Sequence, residues 1–128
     1  MIDVAYGVAA NFPYPQVVIE LSSIGTGRFV SGVMAKLDTG ANRTLLPRAL
    51  VDSLALPQSG DAEFEVADGV IVILPLFFVR LSVEGLEPVE LLVSSSERED
   101  FILFGRDVLN LYRILLDGPN GRLAISGI

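Results

Sequence analysis

Val33-Met34-Ala35-Lys36-Leu37-Asp38-Thr39-Gly40-Ala41, followed closely by Leu45-Leu46-Pro47, is the stretch that decides the fold of this chain. An apolar run leads into an acid, and the acid meets a hydroxyl and then a glycine. Asp, Thr and Gly are all favoured in turns, so on this tripeptide alone Asp38 reads as an acid at the end of a strand. Much further along comes Phe101-Ile102-Leu103-Phe104-Gly105-Arg106-Asp107, an apolar segment that reads as a buried strand and meets a glycine, a cation and an acid. Each string occurs once. There is no internal repeat, heptad pattern or low-complexity tract.

Around these strings the pattern is mostly β. Val17, Ile19 and Leu21 alternate with Val18, Glu20 and Ser22, the period of a half-buried strand. Gly25-Thr26-Gly27 signals a turn, and Phe29 to Leu37 runs as a strand into Asp38, which predicts a hairpin over 15–37. Leu46 to Leu56 differs. Pro47 suits a first helical turn, Leu50, Val51 and Leu54 recur at helical spacing, and Pro57 is a stop. Asp68-Gly69 lies between two β runs, a strong hairpin signal. Pro75 argues against an unbroken central strand over 70–79 and for a bend or an edge. A further hairpin is expected around Glu84-Gly85. Residues 94–100, Ser-Ser-Ser-Glu-Arg-Glu-Asp, read as a solvated loop. A short helix is expected over 107–111, and a hairpin whose strands, 113–116 and 122–125, flank Asp117-Gly118-Pro119-Asn120-Gly121. Residues up to Pro15 read only as a possible strand and a proline-containing link.

Composition removes whole classes of chemistry. The 128 residues contain no Cys and no His, so disulfides, thiolate metal sites, the usual zinc sites and Ser–His or Cys–His catalysis are excluded. A hydrolase built from these residues must use carboxylates, a carboxylate-bound metal or Lys36, the only lysine. The net charge is −7 with Lys and Arg few and scattered, which gives no footprint for nucleic acid. The length fits one domain, 1–128. At 51% hydrophobic the chain is apolar for a small domain, whose surface is large for its volume. The excess fits a subunit interface or a peptide cleft. A membrane span is not expected, because the apolar stretch Val70–Val79 is half the ~20 residues a helical span needs and contains Pro75. Met1 to Tyr6 lacks a basic, then apolar, leader pattern, so a cytoplasmic location is expected. Glu97, Arg98, Glu99 and Asp100 alternate in sign and read as solvated surface rather than a metal site.

Leu37-Asp38-Thr39-Gly40-Ala41 resembles the D-T/S-G active-site turn of aspartic peptidases, and Ile102 to Asp107 resembles the second signature of their retropepsin branch. The order and spacing match that family, as does the chain length, and the resemblance covers roughly residues 15 to 127. It implies an all-β, retropepsin-like closed β-barrel with one or two short helices. Pepsin-like chains carry two such turns and this chain carries one. Two carboxylates at one point therefore require two chains, so the resemblance implies a homodimer with peptide or protein substrates and no cofactor. Two close carboxylates cannot both ionise easily, and they share a proton as one base and one acid. The aspartic protease dyad is itself the best-known case of this behaviour. The implied function is hydrolysis of internal peptide bonds by a water activated between the two Asp38 carboxylates. The alternative is a retropepsin-fold module that binds peptides or a partner protein without cutting.

The same resemblance implies roles for neighbouring residues. The Thr39 hydroxyl bonds the partner's matching turn, the Gly40 carbonyl bonds the substrate and its lack of a Cβ permits close approach, and Ala41 keeps the cleft floor small. Residues 63–73, with Ala67, Asp68, Gly69 and Val70 at the tip, form the flap, although an ordinary hairpin would look the same. Gly105, Arg106 and Asp107 support the turn from behind, although they would equally open a helix. In the family the arginine pairs with an aspartate where this chain has Asn42. Asp107, Asp52 or a group of the second subunit is the expected replacement. Arg43, at the expected cleft rim, is a candidate for favouring acidic substrate side chains.

Overall fold

The computed structural model describes residues 1–9, 12–65, 68–97 and 100–127. Along the chain they form β1 (Ile2–Ala5), β2 (Gly7–Ala9), β3 (Phe12–Tyr14), β4 (Gln16–Ser22), β5 (Phe29–Leu37), β6 (Leu45–Pro47), α1 (Arg48–Leu54), β7 (Gln58–Glu65), β8 (Ile71–Val83), β9 (Val89–Ser96), β10 (Ile102–Phe104), α2 (Arg106–Leu109), β11 (Tyr112–Asp117) and β12 (Arg122–Gly127). No helix among these residues is long and apolar enough to cross a membrane.

The central sheet closes on itself. Its order is β4-β5-β10-β6-β9-β8-β7, and β8 also returns to pair with β4. Closure removes the unpaired edges that a flat sheet would expose. Alternation decides what fills it. Val17, Ile19 and Leu21 on β4, Val79, Leu81 and Val83 on β8, and Ile102 and Phe104 on β10 are all buried, with Phe104 the largest fully buried side chain. α1 closes one side by burying Val51 and Leu54. Outside the barrel lie the β2–β3 hairpin and a three-stranded sheet, β1-β12-β11. Tyr112 opens β11 with its hydroxyl buried and unpartnered among the described residues, and burial pushes its phenol above the ordinary value.

The hairpin over 15–37 forms as β4 and β5, and the closing hairpin as β11 and β12. Three expectations need correction. Leu46 and Pro47 belong to β6, not to a helix, and α1 begins at Arg48. Pro47 has an extended ψ of 138°, so its fixed φ serves a strand end as well as a helix start. Second, β8 runs unbroken through Pro75. Pro75 pairs with Asp61 on β7 just past a bulge, while pairing with β9 begins only at Leu76. One side of Pro75 thus faces no strand, which spares the ladder the missing N–H. The expected edge is there and the break is not. Third, Ser94–Ser96 complete β9, parallel to β6, and are not loop. Ser94 is fully buried because its hydroxyl donates to the Pro75 carbonyl at 2.7 Å.

Candidate active site

β5 delivers Asp38 to one end of the barrel. β10 runs parallel beside β5, with Ala35, Lys36 and Leu37 opposite Ile102, Leu103 and Phe104. The ladder continues one step further, since the Asp38 N–H donates to the Phe104 carbonyl at 2.9 Å. The chain then turns. The Gly40 N–H donates to Asp38 Oδ1 at 2.9 Å, and the Ala41 N–H to the Asp38 carbonyl at 3.2 Å. Asp38 is half-buried, whereas Thr39 and Gly40 are exposed.

α2 fixes this turn from behind. The Arg106 N–H donates to the Ala41 carbonyl at 2.9 Å and the Asp107 N–H to the Asn42 carbonyl at 3.2 Å. The Arg106 guanidinium donates to the Thr39 carbonyl at 2.6 Å, and its other nitrogen donates to Asn42 Oδ1. The partner of Arg106 is therefore the Asn42 amide oxygen, assisted by a backbone carbonyl. Neither acid named from the sequence fills the role: Asp52 pairs with Arg48 at 3.1 Å, and Asp107 turns the other way. An amide oxygen still accepts a hydrogen bond, so the arginine keeps its position without an anion.

Asp107 organises the segment after the turn. Its carboxylate accepts the Thr44 N–H at 3.0 Å on both oxygens, the Thr44 hydroxyl at 2.8 Å and the Val108 N–H at 2.9 Å. Thr44 is wholly buried, and its hydroxyl oxygen accepts the Gly105 N–H at 3.1 Å. Thr44 belongs to neither string, and its only signal in the sequence is a hydroxyl residue opening an apolar strand. Asp107→Asn places a donor where an acceptor is required. It is expected to cost about 1–2 kcal/mol, read as a lower denaturant midpoint at unchanged slope.

Gly105 lies where two backbones touch. A Cβ there would stand 2.6 Å from the Arg43 carbonyl carbon and 2.8 Å from the Arg43 nitrogen and oxygen. The Arg43 guanidinium donates to the Leu92 carbonyl at 3.1 Å, so it is engaged with the barrel wall.

The hairpin expected over 63–73 forms as β7 and the first half of β8, with Glu65 opposite Ile71. Gly69 takes φ +83° and the Val70 N–H donates to Asp68 Oδ1 at 3.2 Å, a tight Asx-type tip. Ala67 lies outside the described residues. Beneath the hairpin is a groove of about 590 Å³ lined by Val70, Val72, Leu74, Leu45, Arg48 and Ser96, among others. No motif in the sequence singles out Arg48.

A family model described as Aspartyl protease matches residues 24–108, a span that contains both strings. The chain belongs to the aspartyl protease family. Its fold is similar to that of EIAV protease complexed with the inhibitor HBY-793, with a TM-score of 0.60 at 16% identity over 81% of this chain and 92% of that one. The barrel is thus of the retropepsin, retroviral-protease type. No curated protein matches the chain.

Proposed function

We propose that this aspartyl protease family member is an aspartic endopeptidase that works as a homodimer, with the whole of 1–128 as one retropepsin-like domain. The observation that carries the proposal is the Asp38 turn itself. One carboxylate per chain stands at the barrel end, its backbone clamped by β10 and by Arg106, while Thr39 and Gly40 are left exposed. A turn held this firmly yet left uncovered suits an isologous contact with its own copy across a two-fold axis. The exposed Met1, Leu111, Leu115 and Leu116 and the two outer strands of the β1-β12-β11 sheet supply apolar area and open edges for the same contact.

In that dimer the two Asp38 carboxylates share one proton. The ionised member takes a proton from a water, whose oxygen attacks the peptide carbonyl carbon. The protonated member hydrogen-bonds the carbonyl oxygen as it becomes tetrahedral. The diol collapses, the C–N bond breaks, and the amine leaves with a proton. Thr39 would bond the partner turn and set the carboxylate separation. Asp68, Gly69 and Val70, with Ala67, would close over an extended peptide and exclude water.

Two measurements test this. The mass in solution is expected to be twice that of the 13.7 kDa chain. A random peptide library is expected to be cut at internal bonds. A monomer that cuts nothing would remove the proposal and leave a binding module.

A further inference from the structure

Lys36 is the only lysine of a chain with net charge −7. Its ammonium sits between two rings, 3.9 Å from the centre of Phe101 and 4.3 Å from the centre of Tyr14. Among the described residues no carboxylate pairs with it, the ion pairs there being Arg48–Asp52 and Arg122–Asp3. A half-buried cation with no carboxylate partner among the described residues is a site with spare binding capacity. Aromatic faces hold the charge in place without neutralising it.

Its place in the sheet says what it faces. Side chains two apart on a strand share a face, and so do directly opposed residues of paired strands. Lys36 therefore shares a face with Asp38, roughly 7 Å along the strand. In the transverse row, Lys36 is opposite Leu103, and Leu103 is opposite Leu45. Leu45 lines the groove under the flap. The opposite face of β5 and β10 carries Ala35, Ile102 and Phe104 into the core. By register, Leu45, Leu103, Lys36 and Asp38 thus share the face of the sheet turned away from that core. By contrast Arg43 donates to the Leu92 carbonyl.

We infer that Lys36, held between Tyr14 and Phe101, is a specificity residue that accepts an acidic substrate side chain beside the scissile bond. This rests on the protease reading above. In a two-fold dimer each chain supplies its own Lys36, so the preference for Glu or Asp falls on both sides of the cut. The preference is local, because the net charge of −7 repels acidic peptides at long range. Added salt therefore screens that repulsion while the side chain still meets the lysine.

The test is the distribution of residues around the cut bonds of the random library. For the wild type, Glu and Asp are expected to be enriched about tenfold at the two flanking positions, the ratio that one charge-assisted contact of ~1.4 kcal/mol gives. Lys36→Met keeps the stem between the rings and is expected to abolish the enrichment, while cleavage between apolar residues stays within about threefold. Lys36→Arg is expected to retain the enrichment, which guards against a folding defect in the methionine variant. Cutting without acidic enrichment would overturn the inference and leave the protease reading intact. So would a Lys36→Met variant that loses acidic and apolar cleavage equally, since the lysine would then be only a bracket between β3, β5 and the segment before β10. A library left uncut by the wild type removes the protease reading, and this inference with it.

Discussion

Asp38→Asn is expected to lower kcat by about a thousandfold or more, within the range removed by loss of one acid–base group, with dimer mass and melting temperature unchanged. The amide is nearly the same size, and its oxygen still accepts the Gly40 N–H that Asp38 Oδ1 accepts at 2.9 Å. The turn therefore keeps its shape, and Arg106 still holds the Thr39 carbonyl. The amide has no proton to share and no affinity for the proton of a water. The variant also separates a dyad from a lone acid. When the two proteins are mixed and allowed to exchange subunits, a dimer needs both aspartates, so activity is expected to fall as the square of the wild-type fraction. A lone catalytic acid gives a linear fall. Turnover by Asp38→Asn at the wild-type rate would move the chemistry to another residue.

The local geometry of this chain is legible where a single segment decides it. β4 and β5 follow from alternation and a Gly-Thr-Gly turn. The β7–β8 hairpin follows from Asp68-Gly69, where φ of +83° at Gly69 favours the glycine. The errors arise where a partner distant in sequence decides. Ser94–Ser96 look like loop because the groups that take up a buried serine, such as the Pro75 carbonyl, lie elsewhere in the chain. Pro75 looks like a break because the sequence does not show that β9 begins pairing only at Leu76. Leu46 and Pro47 look helical because their strand exists only between β10 and β9.

The site divides in the same way. Asp38-Thr39-Gly40 and Gly105-Arg106-Asp107 stand out as strings, and the fold brings them together through β5 and β10. What they do for each other is not readable from the strings. Acidic replacements for the Arg106 partner are natural to expect from charge alone. Yet Asp107 is consumed by Thr44, which has a buried N–H and hydroxyl to satisfy, and a buried donor left unmet costs more than an arginine that lacks an anion but keeps two neutral acceptors. Asn42 then suffices. Lys36 carries no motif of its own; its spacing of two from Asp38 is legible in the sequence, whereas its place in a row with Leu103 and Leu45 appears only in the sheet register.

Gly105→Ala is expected to produce the largest loss of stability of any single methyl added to this chain's glycines without positive φ. The new Cβ would lie 2.6 Å from a backbone carbon and 2.8 Å from two further backbone atoms of Arg43, closer than carbon atoms pack. No rotamer relieves a clash between main chains, so α2 or the 42–44 segment must move. Either movement breaks the bonds that brace the turn: Arg106 N–H to Ala41, Asp107 N–H to Asn42 and the Gly105 N–H to Thr44. Overpacking of this kind costs about 3 kcal/mol or more, a fall of roughly 10 °C in melting temperature for a domain of this size. Gly25→Ala is the control, because a Cβ there meets nothing within 4 Å and is expected to change stability by less than about 0.5 kcal/mol. The loss should reach the active site as well, since Arg43 sits between Asn42, which holds Arg106, and Thr44, which holds Asp107. Activity at a temperature where Gly105→Ala is still folded is therefore expected to fall along with the melt. A variant that melts like the wild type would mean that the two backbones do not touch, and that the turn of Asp38 is not braced by α2.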